Sequence, residues 1–208
     1  MFVHLIRVAV LLSLLYSLPG LTAGVEDDRL WLNINVNGPT ADPRWRWYAE
    51  LQPRWRDEAG TLDQTLARTA LYYSMNKQSS LWFGYARIKS EPANRPNFDE
   101  NRLWQQYLYN FSPVDGMVFQ SRSRLEQRWI ENSQETGHKF RQMLRLSVAS
   151  GLHPSLAWVA FDEYFVNLNN TDYGARKGFD QNRWFLGFNW AFDDKTKMEL
   201  GYLNQRVN

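Results

Sequence analysis

From about residue 25 onward, apolar and polar residues change places at nearly every step along the chain. The clearest stretch is Arg44–Arg56, RWRWYAELQPRWR. Trp45, Trp47, Ala49, Leu51, Pro53 and Trp55 fall on one side of a two-residue repeat, and Arg44, Arg46, Tyr48, Glu50, Gln52, Arg54 and Arg56 on the other. A helix would scatter both sets around its axis, whereas an extended strand separates them. Phe119–Trp129 follows the same rule. Phe119, Leu125 and Trp129 share a side with Ser121, Ser123 and Gln127, opposite Gln120, Arg122, Arg124, Glu126 and Arg128.

Further strands are expected over Leu30–Val36, Thr61–Met75, Ser80–Lys89, Asn101–Phe111, Lys139–Ala149, Leu156–Asn167, Asp180–Phe192 and Lys197–Val207. Turn-forming residues separate them: Asn37-Gly38-Pro39, Glu58-Ala59-Gly60, Asp115-Gly116, Gly151 to Pro154 and Asp193-Asp194. About ten strands with short connections predict an up-and-down antiparallel sheet that must close or pack to hide its edges. Many of these segments reach the roughly 9–11 residues that a tilted membrane strand needs, beyond the usual soluble strand of about 5–6.

The first 23 residues read differently. A cation at Arg7, an apolar run from Val8 to Leu18, a break at Pro19-Gly20 and the small residues Thr22, Ala23 and Gly24 match a cleavable secretory signal. The apolar run is too short for an anchor helix, which needs about 20 residues. The expected organisation is therefore a signal peptide over 1–23 and one barrel over 24–208.

Composition narrows the function classes. The 24 basic and 22 acidic residues of the 208 leave a net charge of +2, too little to steer nucleic acid. The chain has no cysteine, which removes disulfides, thiol nucleophiles and cysteine metal sites. Aromatic residues make up 15%, a content suited both to strands and to membrane interfaces.

Alternation alone does not say which face is inside. A soluble barrel buries its apolar face, and a membrane barrel turns that face to lipid. Arginine rather than lysine dominates the polar faces, and it forms bidentate pairs with carboxylates in confined space. On that basis Arg68, Glu100, Arg102, Arg122, Arg124, Glu126, Arg128, Arg145, Glu163 and Arg183 are expected to line a lumen. There they form either a stiffening ion-pair network or a constriction for anionic solutes. Trp31, Trp45, Trp55, Trp129 and Trp190 stand near strand ends and are expected at the membrane interfaces.

Several ordered strings also look familiar: ENRLWQQYLYN at Glu100–Asn110, SRSRLEQRW at Ser121–Trp129, FDEYF at Phe161–Phe165, DQNRWFLGFNW at Asp180–Trp190 and ELGYLNQ at Glu199–Gln205. Over nearly the whole mature chain they resemble the bacterial domain-of-unknown-function 2490 family, which is grouped with outer-membrane β-barrels. The resemblance implies fold and location and carries no activity. It implies an all-β, up-and-down antiparallel transmembrane barrel exported to the outer membrane. The lipid bilayer and the outer-membrane insertion machinery are then the expected partners, and no cofactor or nucleic acid is. It also implies a further closing strand beyond Gln205–Asn208, which would raise the ten visible strands to about twelve.

Two rival readings remain. One is a membrane-embedded lipid-modifying enzyme using His138 or His153, with Ser133 and Ser155 nearby in sequence; no GxSxG or HExxH motif accompanies them. The other is a soluble secreted barrel binding apolar ligands. Asp27, Asp28, Asn169, Asn170 and Asp172 lack the spacing of a calcium loop, so no metal site is expected. With a periplasmic N-terminus, the longer connections Ser90–Asp99, Glu131–His138 and Leu168–Gly178 would fall on the periplasmic side, against the usual asymmetry. Sidedness, solute and oligomeric state are left open.

Overall fold

The structure is a computed structural model that describes residues 29–57, 59–114 and 116–208, and the leader expected over 1–23 lies outside them. Alternation produces strands throughout: β1 Leu30–Trp31, β2 Ile34–Pro39, β3 Trp45–Arg56, β4 Thr61–Ser74, β5 Ser79–Ser90, β6 Phe98–Asn110, β7 Met117–Ile130, β8 Gly137–Ala149, β9 Leu156–Asn167, β10 Gly178–Ala191 and β11 Lys197–Val207. Among the described residues there is no helix. From β3 to β11 every strand pairs antiparallel with the next, so the expected up-and-down, all-β order is what the chain adopts. Most observed strand ends lie within three residues of those expected.

The N-terminal edge departs from expectation. Leu30–Val36 was expected as one strand with a turn at Asn37-Gly38-Pro39. Instead β1 and β2 both pair with β3 and are separated at Leu32-Asn33. The gap lies opposite Pro53 and Gln52, and Pro53 has no N–H to offer the ladder. The Leu32 amide still donates to the Pro53 carbonyl at 3.1 Å, which holds the broken edge in line. Asn37, Gly38 and Pro39 continue β2, where an edge strand tolerates proline. The chain reverses only afterwards, where the Arg44 amide donates to Asp42 at 2.9 Å.

Two bulges also break the two-residue rule, one between Arg54 and Trp55 opposite β4 and one between Phe179 and Gln181 on β10. A bulge adds one residue to one strand and re-aims a side chain. Asp63 and Asp180 are the extra residues, and each meets a cation of the polar face. Asp63 accepts from Arg56 at 3.1 Å and Asp180 from Lys139 at 2.6 Å.

The sheet curls into a half-barrel. Among the described residues β11 pairs only with β10, while β1 and β2 pair only with β3. The curl nevertheless brings distant strands together across the concave side. The Arg183 guanidinium on β10 sits 4.9 Å from the Trp31 ring on β1, and Arg145 on β8 forms an ion pair with Glu199 on β11. Leu30 lies opposite Trp55 and Val207 opposite Gln181. Both described ends of the sheet therefore share the rim that carries the connection over 168–177.

The concave side has two sectors. On β4, β5 and β6, Leu66, Ala70, Ala86, Ile88 and Trp104 form a small apolar core, with Tyr48 and Trp82 packed against it. Trp104 fits because its register partner is Gly84, where a Cβ would come within 2.3 Å of the indole. The rest of the concave side is ionic.

Candidate functional site

The ionic sector is built by strand parity. Residues two apart on one strand share a face, so Glu100 and Arg102 on β6, Arg122, Arg124, Glu126 and Arg128 on β7, and Lys139, Arg141 and Arg145 on β8 all point into the curl. Register then sets like charges side by side: Arg102 lies opposite Arg128, and Arg124 opposite Arg141. Directly opposed like charges are unfavourable, so the carboxylates on the diagonals decide whether the arrangement holds.

Three glutamates supply that compensation. Glu100 accepts two hydrogen bonds from Arg102, at 2.6 and 2.9 Å, and two from Arg128, at 2.5 and 3.0 Å. Glu126 accepts from Arg141 at 2.6 Å and from Arg102 at 3.4 Å, with Arg124 at 3.7 Å. Glu163 on β9 accepts from Arg122 at 2.7 Å and from Arg141 at 2.9 Å. Arg141 bridges the last two, so a continuous chain of charge-assisted bonds runs from β6 to β9. All three carboxylates are buried, Glu126 at 1% exposure. Paired, bidentate geometry of this kind is the condition under which buried charge is tolerated.

Smaller clusters extend the wall. Arg68 pairs with Glu50, which also accepts from the Tyr48 hydroxyl at 2.5 Å and from Asn33 at 3.0 Å. Arg124 donates twice to Gln106 and lies 4.4 Å over Trp104. Asn167 and Lys139 both donate to Asp180. Above that pair, the connections 131–136 and 168–177 clasp each other. Asp172 accepts from the Ser133 hydroxyl and, at 2.8 Å, from the Gln134 amide, and Asn169 accepts the His138 amide at 2.7 Å. The Ser133 hydroxyl first, and then the Gln134 amide, hold the Asp172 carboxyl below its ordinary value.

The expected lumen residues Arg68, Glu100, Arg102, Arg122, Arg124, Glu126, Arg128, Arg145, Glu163 and Arg183 all take part in contacts on the concave side. Glu50, Lys139, Arg141, Asp63 and Asp180 belong with them, although the sequence did not single them out. Parity marks Lys139 and Arg141 as clearly as Arg145, and Glu50 as clearly as Arg46. The two aspartates are hidden by their bulges.

Alternation places Trp45, Trp55, Trp129 and Trp190 on the convex side, close to strand ends. Trp31 departs from that group. It borders the inner cavity, with the Arg54 guanidinium 3.8 Å from its ring. Alternation over Leu30–Val36 already puts Trp31 on the side of Asn33 and Asn35, and its pairing with Arg54 sets it on the concave face, so nearness to a strand end was a misleading sign.

The two histidines of the described residues cannot share a site. His138 begins β8 and His153 follows its end, about 40 Å apart along an extended strand of that length. His153 stacks on Trp190 and accepts the Ser155 amide, while the Ser133 hydroxyl is spent on Asp172.

A curated uncharacterized protein of Methylorubrum extorquens is 33% identical over 182 residues, covering 87% of this chain and 79% of that protein. A solved chain from "Unveiling the Mechanism Behind the in-meso Crystallization of Membrane Proteins" aligns over 88% of this chain and 73% of its own length, with a TM-score of 0.44 and 11% identity. A protein-family comparison matches residues 28–208 to the family described as Protein of unknown function (DUF2490). With every described residue inside that match, the protein belongs to the DUF2490 family.

Proposed function

We propose that the protein is an outer-membrane β-barrel protein, exported by its N-terminal leader, whose ion-paired interior keeps a narrow, charge-lined lumen. One observation carries this reading: the faces are inverted. Glu100, Glu126 and Glu163 are buried, whereas Leu81, Phe83, Leu144, Trp158, Leu186 and Leu200 are exposed, Phe83 and Leu200 each at 58%. Burying one such side chain is worth roughly 1.5–3 kcal/mol, so a whole convex face of them is costly in water and favourable in hydrocarbon.

A soluble barrel binding apolar ligands would need the opposite arrangement. Its interior would be the apolar face, and here much of the interior is arginine and glutamate. A lipid-modifying enzyme using His138 or His153 is not favoured, since His153 stacks on Trp190 and accepts the Ser155 amide while Ser133, near His138 in sequence, is bonded to Asp172.

Fractionation with gel analysis tests the proposal. The protein should leave the membrane fraction only with detergent, and an unheated sample should run ahead of a heated one. Recovery as a detergent-free monomer would contradict it. Planar-bilayer recording then reads the lumen: the native protein should pass at most a small conductance, and a Glu126→Ala variant, which cuts the bridge to Arg141, should pass more. A wide native conductance would contradict a braced interior.

A further inference from the structure

The concave side encloses a cavity of about 240 Å³ bordered by cations from several strands. All but two of those cations stand within ion-pair distance of a carboxylate. The exceptions are Arg54 on β3 and Arg183 on β10. Arg54 donates to the side-chain carbonyls of Gln64 and Gln52, both at 2.9 Å, and its buried Nε has no hydrogen-bond partner among the described residues. Arg183 donates from Nε to Gln205 at 3.2 Å and, among the described residues, makes no hydrogen bond through its two terminal nitrogens. Among the described residues neither arginine forms an ion pair: Glu163, the register partner of Arg183, is bonded to Arg122 and Arg141 instead.

Both guanidinium groups lie against one aromatic ring, at 3.8 and 4.9 Å from the Trp31 centroid, and Arg183 is also 4.7 Å from the Phe165 ring. Ring faces favour a nearby cation and also fix the plane of its fork. The two forks come from opposite ends of the curled sheet, so they meet only because the sheet folds round. Two like charges held together away from water are unfavourable unless a counter-charge joins them. Planar forks with unspent N–H groups fit the oxygens of a phosphate or carboxylate. The cavity has room for on the order of ten waters, enough for a small solute and too little for a large one.

We propose that Arg54 and Arg183, set against Trp31, form a binding site for a small oxyanion on the inner wall. The site goes beyond the membrane reading, because it depends on the concave face alone. Free phosphate, a carboxylate-bearing solute and a lipid headgroup present the same chemistry, and the test separates them.

The experiment is thermal unfolding of the full chain in zwitterionic micelles, with inorganic phosphate, acetate or chloride at matched ionic strength. A further arm uses micelles doped with an anionic phospholipid. Native protein should show a saturable rise in Tm of about 5 °C with phosphate or acetate beyond chloride. A rise in the doped micelles alone would assign the same site to a headgroup. The Arg54→Gln/Arg183→Gln double variant should lose every such rise. Its own Tm in chloride should be no lower than native, since two mutually repelling charges that form no ion pair are gone, so a folding failure would not imitate the result. Arg145→Gln, which alters the separate pair with Glu199, should keep the rise. No saturable rise in the native protein, or an equal rise in the double variant, would overturn the proposal. The same measurement can be made on protein from either cell fraction, so its failure would leave the membrane reading standing.

Discussion

Glu126 shows at the scale of one residue why the inner wall holds together. It faces Arg102, Arg124 and Arg141, and without it Arg102 and Arg128 would confront each other across the ladder with Glu100 alone between them. Removing one partner of a buried charge pair leaves the others desolvated and uncompensated, a cost of about 3–5 kcal/mol. Glu126→Ala is therefore expected to lower the unfolding free energy, read by denaturant titration in micelles, by that amount. Replacing Glu126 and Arg141 together should cost less than the sum of the single changes. A Glu126→Ala loss below about 1 kcal/mol would mean that the wall is solvated rather than buried. At this scale much of the site was legible in the sequence, because a two-residue repeat sorts charges by face without knowledge of the neighbours. What it does not sort are residues at a bulge. Asp63 and Asp180 each sit one place out of phase, and only the pairing of β4 with β3 and of β10 with β9 shows where they go.

Among the elements, hairpins with long, strongly alternating strands were legible nearly to the residue, β9 and β11 among them. The first edge was not. Pro53 acts on the strand beside its own, by leaving a gap opposite Leu32, and a one-dimensional pattern does not carry that effect. Loops were the least legible, since the clasp between 131–136 and 168–177 joins segments far apart in sequence. That clasp also has a pH dependence of known sign. The folded-state Asp172 carboxyl is held below its ordinary value of 3.8, so its contribution is full above that value and is lost as pH falls through the lowered one. Hydrogen exchange of the Gln134 and His138 amides should accelerate relative to the strands as the solution is acidified into that range. In Asp172→Asn the two amides should exchange faster at neutral pH, with no further acid-dependent step. An unchanged exchange rate in the variant would show that the clasp does not depend on this carboxylate.

For the whole molecule, alternation fixed the two faces, but it could not show how they are used. Only the curl of the sheet reveals that the arginine-bearing face is the concave one and that part of it is a small core around Trp104 and Ile88. The absence of cysteine from the 208 residues makes the central claim directly measurable, because single cysteines can be introduced and spin-labelled one at a time. Labels at Leu81, Phe83, Leu144 and Leu186, in protein reconstituted in bilayers, should collide strongly with oxygen dissolved in lipid. They should collide little with a water-soluble paramagnetic chelate, and labels one residue along each strand should lose the strong oxygen signal. If those four positions are instead open to the water-soluble reagent, the apolar face does not meet hydrocarbon and the account is wrong.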